Sequence, residues 1–174
     1  MAWQVDKAHT QASFTIRHLG ISFISGTVTV ADAELQLDEN NPANSNLKVR
    51  LDMNNFTTHD PNRDGHLKSA DLFDVANHPF IEFATKQVQD KGSGKFEVVG
   101  DLTIKGNTGE VRLDGEYAGP TKEPFGGKRK VGFKLTGEID KKDFGVTWNV
   151  PLEDGSSMLN DRVRLNIDAQ AIED

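Results

Sequence analysis

Strict alternation of polar and apolar residues is the feature that most constrains how this chain can fold. Every second residue is apolar over 162–171, and the same period of two runs through 46–53 and 129–140. Alternation of this kind is typical of antiparallel strands that have one buried and one solvated face. Segments rich in Gly, Asn and Pro separate the apolar runs at short intervals. The pattern predicts about eight or nine strands, arranged as a β-sandwich or a β-barrel.

One long apolar stretch changes its phase partway along. Val28 and Val30 share one parity, whereas Ala33 and Leu35 share the other. Because side chains alternate strictly along a regular strand, a change of phase requires one extra residue. We therefore predict a β-bulge near Ala31.

The segment near residues 60–74 breaks the alternation and holds the densest cluster of Arg, Asp and His in the chain. Asp60 followed by Pro61 is a favourable pair for the cap and first residue of a helix. We expect a short helix over about 61–69 and a further turn near Leu72. Loops on a rigid scaffold often bear functional residues, so this crossover is a candidate functional segment.

Composition limits the classes of function. The 174 residues suit a single domain over 1–174, and the net charge of −7 argues against a nucleic-acid partner. The absence of cysteine excludes disulfides and thiol catalysis. No apolar run is long enough to predict a membrane span. The first residues lack the features of a secretory signal, so we expect a cytoplasmic protein, or a periplasmic one if a signal segment precedes this sequence.

Motifs of nucleophilic and nucleotide-dependent enzymes are missing from the sequence. It contains no Gly-x-Ser-x-Gly elbow, no phosphate-binding loop and no dinucleotide fingerprint. A second hypothesis is an enzyme acting on a lipid, with His66 as base and Asp64 as the orienting carboxylate. The simpler interpretation is that these two side chains hold their own loop in place through hydrogen bonds. The histidines lack metal-ligand spacing, so we expect no metal site.

The inward faces of the strands are the remaining functional signal. They either pack as a solid core or, in an eight-stranded barrel, leave room for one ligand. The alternation is the same in both cases, and a solid core would favour a module that binds another protein. His18 shares a face with Phe14 and Ile16, either as a core histidine or as a contact for the polar end of a ligand.

Several motifs in register resemble the YceI-like family over essentially the whole chain. The most recognisable is the run RDGHLKSADLFD over 63–74. The start WQVDKAHTQASF over 3–14, the run IRHLG over 16–20 and the run GDLTIKG over 100–106 are also similar to family motifs. Each motif alone is weak, but their order is the order of the family.

The resemblance implies a lipocalin-like antiparallel β-barrel of about eight strands with a short helical crossover. It implies an apolar tunnel that holds an amphiphilic polyisoprenoid, such as a prenyl diphosphate, a polyprenyl alcohol or an isoprenoid quinone. It brings no catalytic residues and no cofactor besides the bound lipid, and it makes a homodimer plausible.

On this basis, we expect a non-catalytic carrier whose ligand contacts come from the inward faces and the crossover. The expected apolar lining is Phe14, Ile16, Phe23, Leu51, Phe83, Phe133 and Phe144. Trp148 is expected to cover one mouth, and His18, Arg63 and His66 are expected at the headgroup end.

Overall fold

The computed structural model describes residues 2–174, which form one antiparallel sheet of nine strands. Met1, the first residue of the predicted domain, lies outside the described residues. The strands are β1 (Trp3–Val5), β2 (Gln11–His18), β3 (Ser22–Gln36), β4 (Asn46–Thr57), β5 (Phe80–Gly92), β6 (Lys95–Ile104), β7 (Asn107–Lys122), β8 (Arg129–Asp140) and β9 (Leu159–Glu173).

The sheet closes on itself through its last strand. Neighbours follow chain order from β2 to β8, and β9 then pairs with β8 on one edge and with β2 on the other. Strand β1 pairs with β9 beyond the end of β2, with Trp3 opposite Glu173. The result is an eight-stranded barrel in which β1 and β2 together occupy one position. The predicted barrel is thus confirmed, and the sandwich is excluded.

The predicted bulge in β3 is also confirmed. Val30 lies opposite Leu51 and Asp32 lies opposite Arg50, so Ala31 has no partner of its own in β4. The extra residue returns the apolar side chains of the second half of β3 to the inner face of the barrel.

The crossover contains the predicted short helix, α1 (Pro61–Lys68). The Asp60 side chain caps it by accepting hydrogen bonds from the backbone N–H groups of Asn62 and Arg63, at 3.0 and 3.1 Å. A turn follows around Leu72, as predicted. Within residues 2–174, no helix is long and apolar enough to cross a membrane.

The connections define two ends of the barrel. The upper end holds the β2–β3 turn at 19–21, the α1 crossover and the long segment 141–158. The lower end holds β1 and the turns at 37–45, 93–94 and 123–128.

Both ends are tightly packed. The upper core consists of Leu72, Leu102, Ile104, Val111, Ile139, Phe144, Val146, Leu159 and Val163. A second buried cluster, near the upper core, consists of Val28, Met53, Phe56 and Val75. The lower core consists of Trp3, Val131 and Ala171, with Leu35, Leu37 and Phe133 packed against it.

Phe56 joins the crossover to the barrel wall. Its ring is 2 % exposed, stacks on Phe14 at 5.2 Å and tilts against Phe73 at 5.8 Å. We expect Phe56→Ala to lower the free energy of unfolding by about 3–5 kcal/mol, because it leaves a cavity among buried rings. Urea denaturation measures this change. Phe125→Ala is the control, since its ring is 97 % exposed; equal losses in the two variants would contradict the assignment.

Candidate functional site

The middle of the barrel is less tightly filled than its ends. Many inward-facing apolar side chains between the upper and lower cores are half-buried, whereas Phe96, Val98 and Leu113 of β6 and β7 are buried there. In a closed barrel with a solid core, such side chains would be fully covered by their neighbours. The half-buried set includes Phe14, Ile16, Ile24, Leu51, Ile81, Phe83, Phe133, Leu135, Leu165 and Ile167.

Glycines on neighbouring strands keep aromatic rings close to the barrel wall. A Cβ atom at Gly26 would lie 2.5 Å from the Phe14 ring, and one at Gly100 would lie 2.4 Å from the Phe83 ring. Each ring therefore lies against the backbone of the next strand. It occupies space that the side chain of any residue other than glycine would fill. The bulk of these rings is held near the wall instead of extending across the interior.

The structure brings some of the expected lining residues to the half-filled middle. Phe14, Ile16, Leu51, Phe83 and Phe133 all face inward and are half-buried, as a lining requires. Their contact with a ligand stays a prediction.

Two expected lining residues do not face the interior space. Phe23 is 63 % exposed on the outer face, beneath the guanidinium of Arg17 at 5.1 Å, so its inward assignment is wrong. Phe144 is 2 % exposed inside the upper core and offers no surface to a ligand. The residue opposite Ile16 is Ile24, and its parity is that of Val28. The parity of Val28 in the sequence therefore indicates that Ile24, and not Phe23, faces inward.

Arg63 and Asp64 hold the start of α1 to the end of β4. Arg63 donates from Nε to the Thr58 hydroxyl and from Nη2 to the Thr58 carbonyl, both at 2.8 Å. Asp64 accepts from the backbone N–H of Thr58 at 2.8 Å and from the Thr57 hydroxyl at 3.0 Å. These bonds give the two side chains a structural role. For Asp64, this is the simpler interpretation given above, in which its side chain holds its own loop in place.

His66 does not pair with Asp64. Its Nε2 atom lies 3.2 Å from a carboxylate oxygen of Asp71 instead, because residues two apart on a helix point in different directions. The predicted base and orienting carboxylate are therefore not assembled. The His66 ring does meet Trp148, edge to face with ring centroids 4.5 Å apart.

His66, Trp148 and His18 all belong to the upper end. His18 is half-buried at the last position of β2, opposite Leu159. Trp148 is half-buried and packs, like Ile16, against the upper core. The three predicted residues thus lie at one end, and two of them are in contact. Among residues 2–174, no group of three His, Asp or Glu side chains could hold a metal ion.

The barrel wall has a seam at its lower end. Strand β1 pairs only with β9, and the second half of β3 pairs only with β4, so β1 and β3 run side by side without a hydrogen-bonded ladder. Two adjoining clefts of about 290 and 460 Å³ lie along this seam, and both are lined by Trp3 and Leu35.

The Asp64 carboxyl makes the stability of the fold depend on pH. Burial would raise its pKa, but the hydrogen bonds from Thr58 and Thr57 outweigh burial and hold the pKa below its usual value. A carboxylate whose pKa is lower in the folded state stabilises the fold above the unfolded pKa of about 4. That contribution is lost as the pH falls through the folded pKa.

We expect Asp64→Asn to lower the free energy of unfolding at neutral pH and to flatten its decline in acid. Urea unfolding at a series of pH values measures both effects. Asp60→Asn is the matched control and should change stability by less than about 0.5 kcal/mol, since Asn caps a helix as well as Asp. If the free energy of unfolding of Asp64→Asn fell in acid as steeply as that of the wild type, the role of Asp64 in the pH dependence would be contradicted.

Comparisons with known proteins agree with this architecture. The family model of the YceI-like domain matches residues 3–171. A UPF0312 protein of Staphylococcus epidermidis is 33 % identical over 165 residues, which cover 95 % of this chain and 94 % of that protein.

Solved structures show the same fold. The YCEI protein of Campylobacter jejuni is 31 % identical, with a TM-score of 0.74 and coverage of 100 % of this chain and 99 % of that one. A polyisoprenoid binding domain from Saccharophagus degradans has a TM-score of 0.66 at 11 % identity, with 98 % of each chain covered. The family match and the relatives above 30 % identity show that this chain belongs to the YceI-like family.

Proposed function

We propose that the protein is a non-catalytic carrier that holds the chain of an amphiphilic polyisoprenoid in the middle of the barrel. The observation that supports this most is the half-buried apolar lining between two packed ends. The Saccharophagus degradans domain, which shares the fold, is described as binding polyisoprenoids.

The dimensions of the barrel suit an extended apolar chain. The 15 residues of β9 span about 38 Å along the axis of the barrel when tilted by about 40°, and the packed upper and lower cores occupy the two ends of this length. Each methylene group that leaves water contributes about 0.8 kcal/mol, so a long isoprenoid tail can offset the cost of its ordering. Binding of this kind needs few polar groups, which fits a barrel lined mainly by apolar side chains.

The polar end of the ligand belongs at the upper end in this proposal. His18 and His66 offer hydrogen-bond donors there, and Trp148 covers the apolar surface beside His66. Arg63 contributes indirectly, because its bonds to Thr58 fix the position of α1. Imidazole donors can bind a diphosphate, a hydroxyl or a quinone ring. The experiment below therefore identifies the headgroup. The cytoplasmic location and the homodimer stay predictions.

The experiment is solvent extraction of the purified protein followed by mass spectrometry, beside native mass spectrometry of the intact protein. We expect a stoichiometric apolar molecule whose homologues differ by one isoprene unit. A ligand-free protein that also fails to bind added geranylgeraniol would overturn the proposal and favour a solid barrel.

A single pair of variants tests the location of the chain. Ala169 is half-buried and lies opposite the inward-facing Phe133, whereas its neighbour Asp168 is exposed on the outer face. We expect Ala169→Trp to weaken geranylgeraniol binding at least tenfold, because the indole fills the lumen, and Asp168→Trp to leave it unchanged. Titration by native mass spectrometry measures both affinities. Equal affinities in the two variants would place the ligand elsewhere.

A further inference from the structure

Exposed apolar side chains gather at the upper end of the barrel. Of the six large apolar side chains that the described residues expose, four lie there: Leu19, Ile21, Phe23 and Val150. Ile21 is 83 % exposed and Phe23 is 63 % exposed. Single exposed apolar residues need no explanation, but a cluster at one tip of a molecule marks an interaction surface.

Backbone hydrogen bonds join two of these residues, Leu19 and Val150, through Met158. The N–H of Leu19 donates to the carbonyl of Met158 at 2.8 Å, and the N–H of Met158 donates to the carbonyl of Val150 at 2.8 Å. Leu19 has a φ of +56°, a left-handed conformation that is costly for leucine and favours glycine or asparagine. The turn thus presents an aliphatic residue at a position where a solvated turn would have a polar one.

Charge is distributed unevenly around this tip. The chain has a net charge of −7, yet residues 8–31, which include β2 and the β2–β3 turn, contain Arg17 and no Asp or Glu. The neighbouring stretch 144–152 has no charged residue at all. Arg17 lays its guanidinium across the Phe23 ring at 5.1 Å, an arrangement that lets its charge reach a polar interface while the stem covers apolar surface.

We propose that this tip, formed by Leu19, Ile21, Phe23 and Val150, docks the protein on a lipid bilayer. A specific protein interface uses about 20–30 residues on each side, far more than this tip offers. A bilayer interface accepts a few aliphatic and aromatic side chains flanked by a basic residue.

Apolar insertion, not attraction to anionic lipids, is the main source of binding. Glu153 and Asp154 follow Val150 closely in the chain and would be repelled by an anionic surface. Vesicles of phosphatidylcholine alone should therefore suffice.

The inference rests on the proposed function, because a polyisoprenoid resides in membranes and must leave one to enter the barrel. The β2–β3 turn directly follows His18, which the proposed function places at the polar end of the ligand. Docking through this turn would bring the upper end of the barrel to the bilayer surface and shorten the path of the ligand through water.

The experiment is flotation of the purified protein with phosphatidylcholine vesicles on a density gradient. We expect the wild type to float and the double variant Ile21→Asp/Phe23→Asp to bind at least tenfold more weakly. Phe125→Asp is the matched control, because its ring is 97 % exposed at the lower end, and it should float like the wild type. Circular dichroism and urea unfolding establish that all three proteins are folded.

Several outcomes would overturn the docking surface. A wild type that stays with the soluble fraction would do so, as would equal losses in the double variant and in Phe125→Asp. A wild-type dimer that the double variant dissociates in sedimentation, with unchanged flotation, would make the tip a self-association surface instead.

Ligand binding without vesicles separates this inference from the proposed function. Geranylgeraniol delivered from ethanol should bind equally to the wild type and to the double variant, while only the wild type floats. A floating wild type that binds no geranylgeraniol would overturn the carrier function and leave the docking surface supported.

Discussion

Closure of the sheet by β9 is the interaction on which the rest of the structure depends. This strand pairs with β8 from Arg162 to Ile172 on one edge and with β2 and then β1 on the other. Without it, the sheet would be an open, twisted layer with two unpaired edges and no enclosed space. The apolar faces of eight strands would then need another layer to cover them. Because the ring is closed, those faces meet one another across a shared interior.

Ring closure alone does not decide whether that interior is solid. The positions of Phe and Gly on neighbouring strands contribute to the answer, since Gly26 and Gly100 create recesses for the rings of Phe14 and Phe83. Glycine in a strand lowers stability by roughly 0.5–1 kcal/mol relative to alanine, so these recesses make the barrel less stable. In return, the rings of Phe14 and Phe83 lie against the barrel wall at these glycines. A barrel that needed only stability would fill these sites with branched aliphatic residues.

Local patterns predict the strands, the bulge and the helix well because each depends on a few neighbouring residues. The phase change at Ala31 and the cap at Asp60 are of this kind. Burial of Phe144 depends on contacts across the barrel, which a pattern along one strand does not contain, whereas the outward position of Phe23 follows from the parity of Val28 on the same strand. The partner of His66 likewise follows from the path of the chain beyond α1, which places Asp71 beside it. For the same reason, alternation could not separate a lined interior from a packed one.

The two ends of the barrel differ in how much structure must be disturbed to reach the interior. At the lower end, Trp3 is 4 % exposed and lies under Arg129, which also pairs with Glu39 and with the buried Glu173. Opening this end would expose the indole and separate charged groups, one of them buried.

At the upper end, by contrast, no residue of α1 itself is buried. The helix is anchored by the turn that follows it, through Leu72 and Val75, and by the bonds of Arg63 and Asp64 to Thr58. Local opening costs least where few apolar contacts are lost, and Leu67 is the residue of α1 that packs against the buried clusters. The helix α1 and the exposed apolar tip thus lie at the same end of the barrel, the end at which the proposed carrier would exchange its ligand.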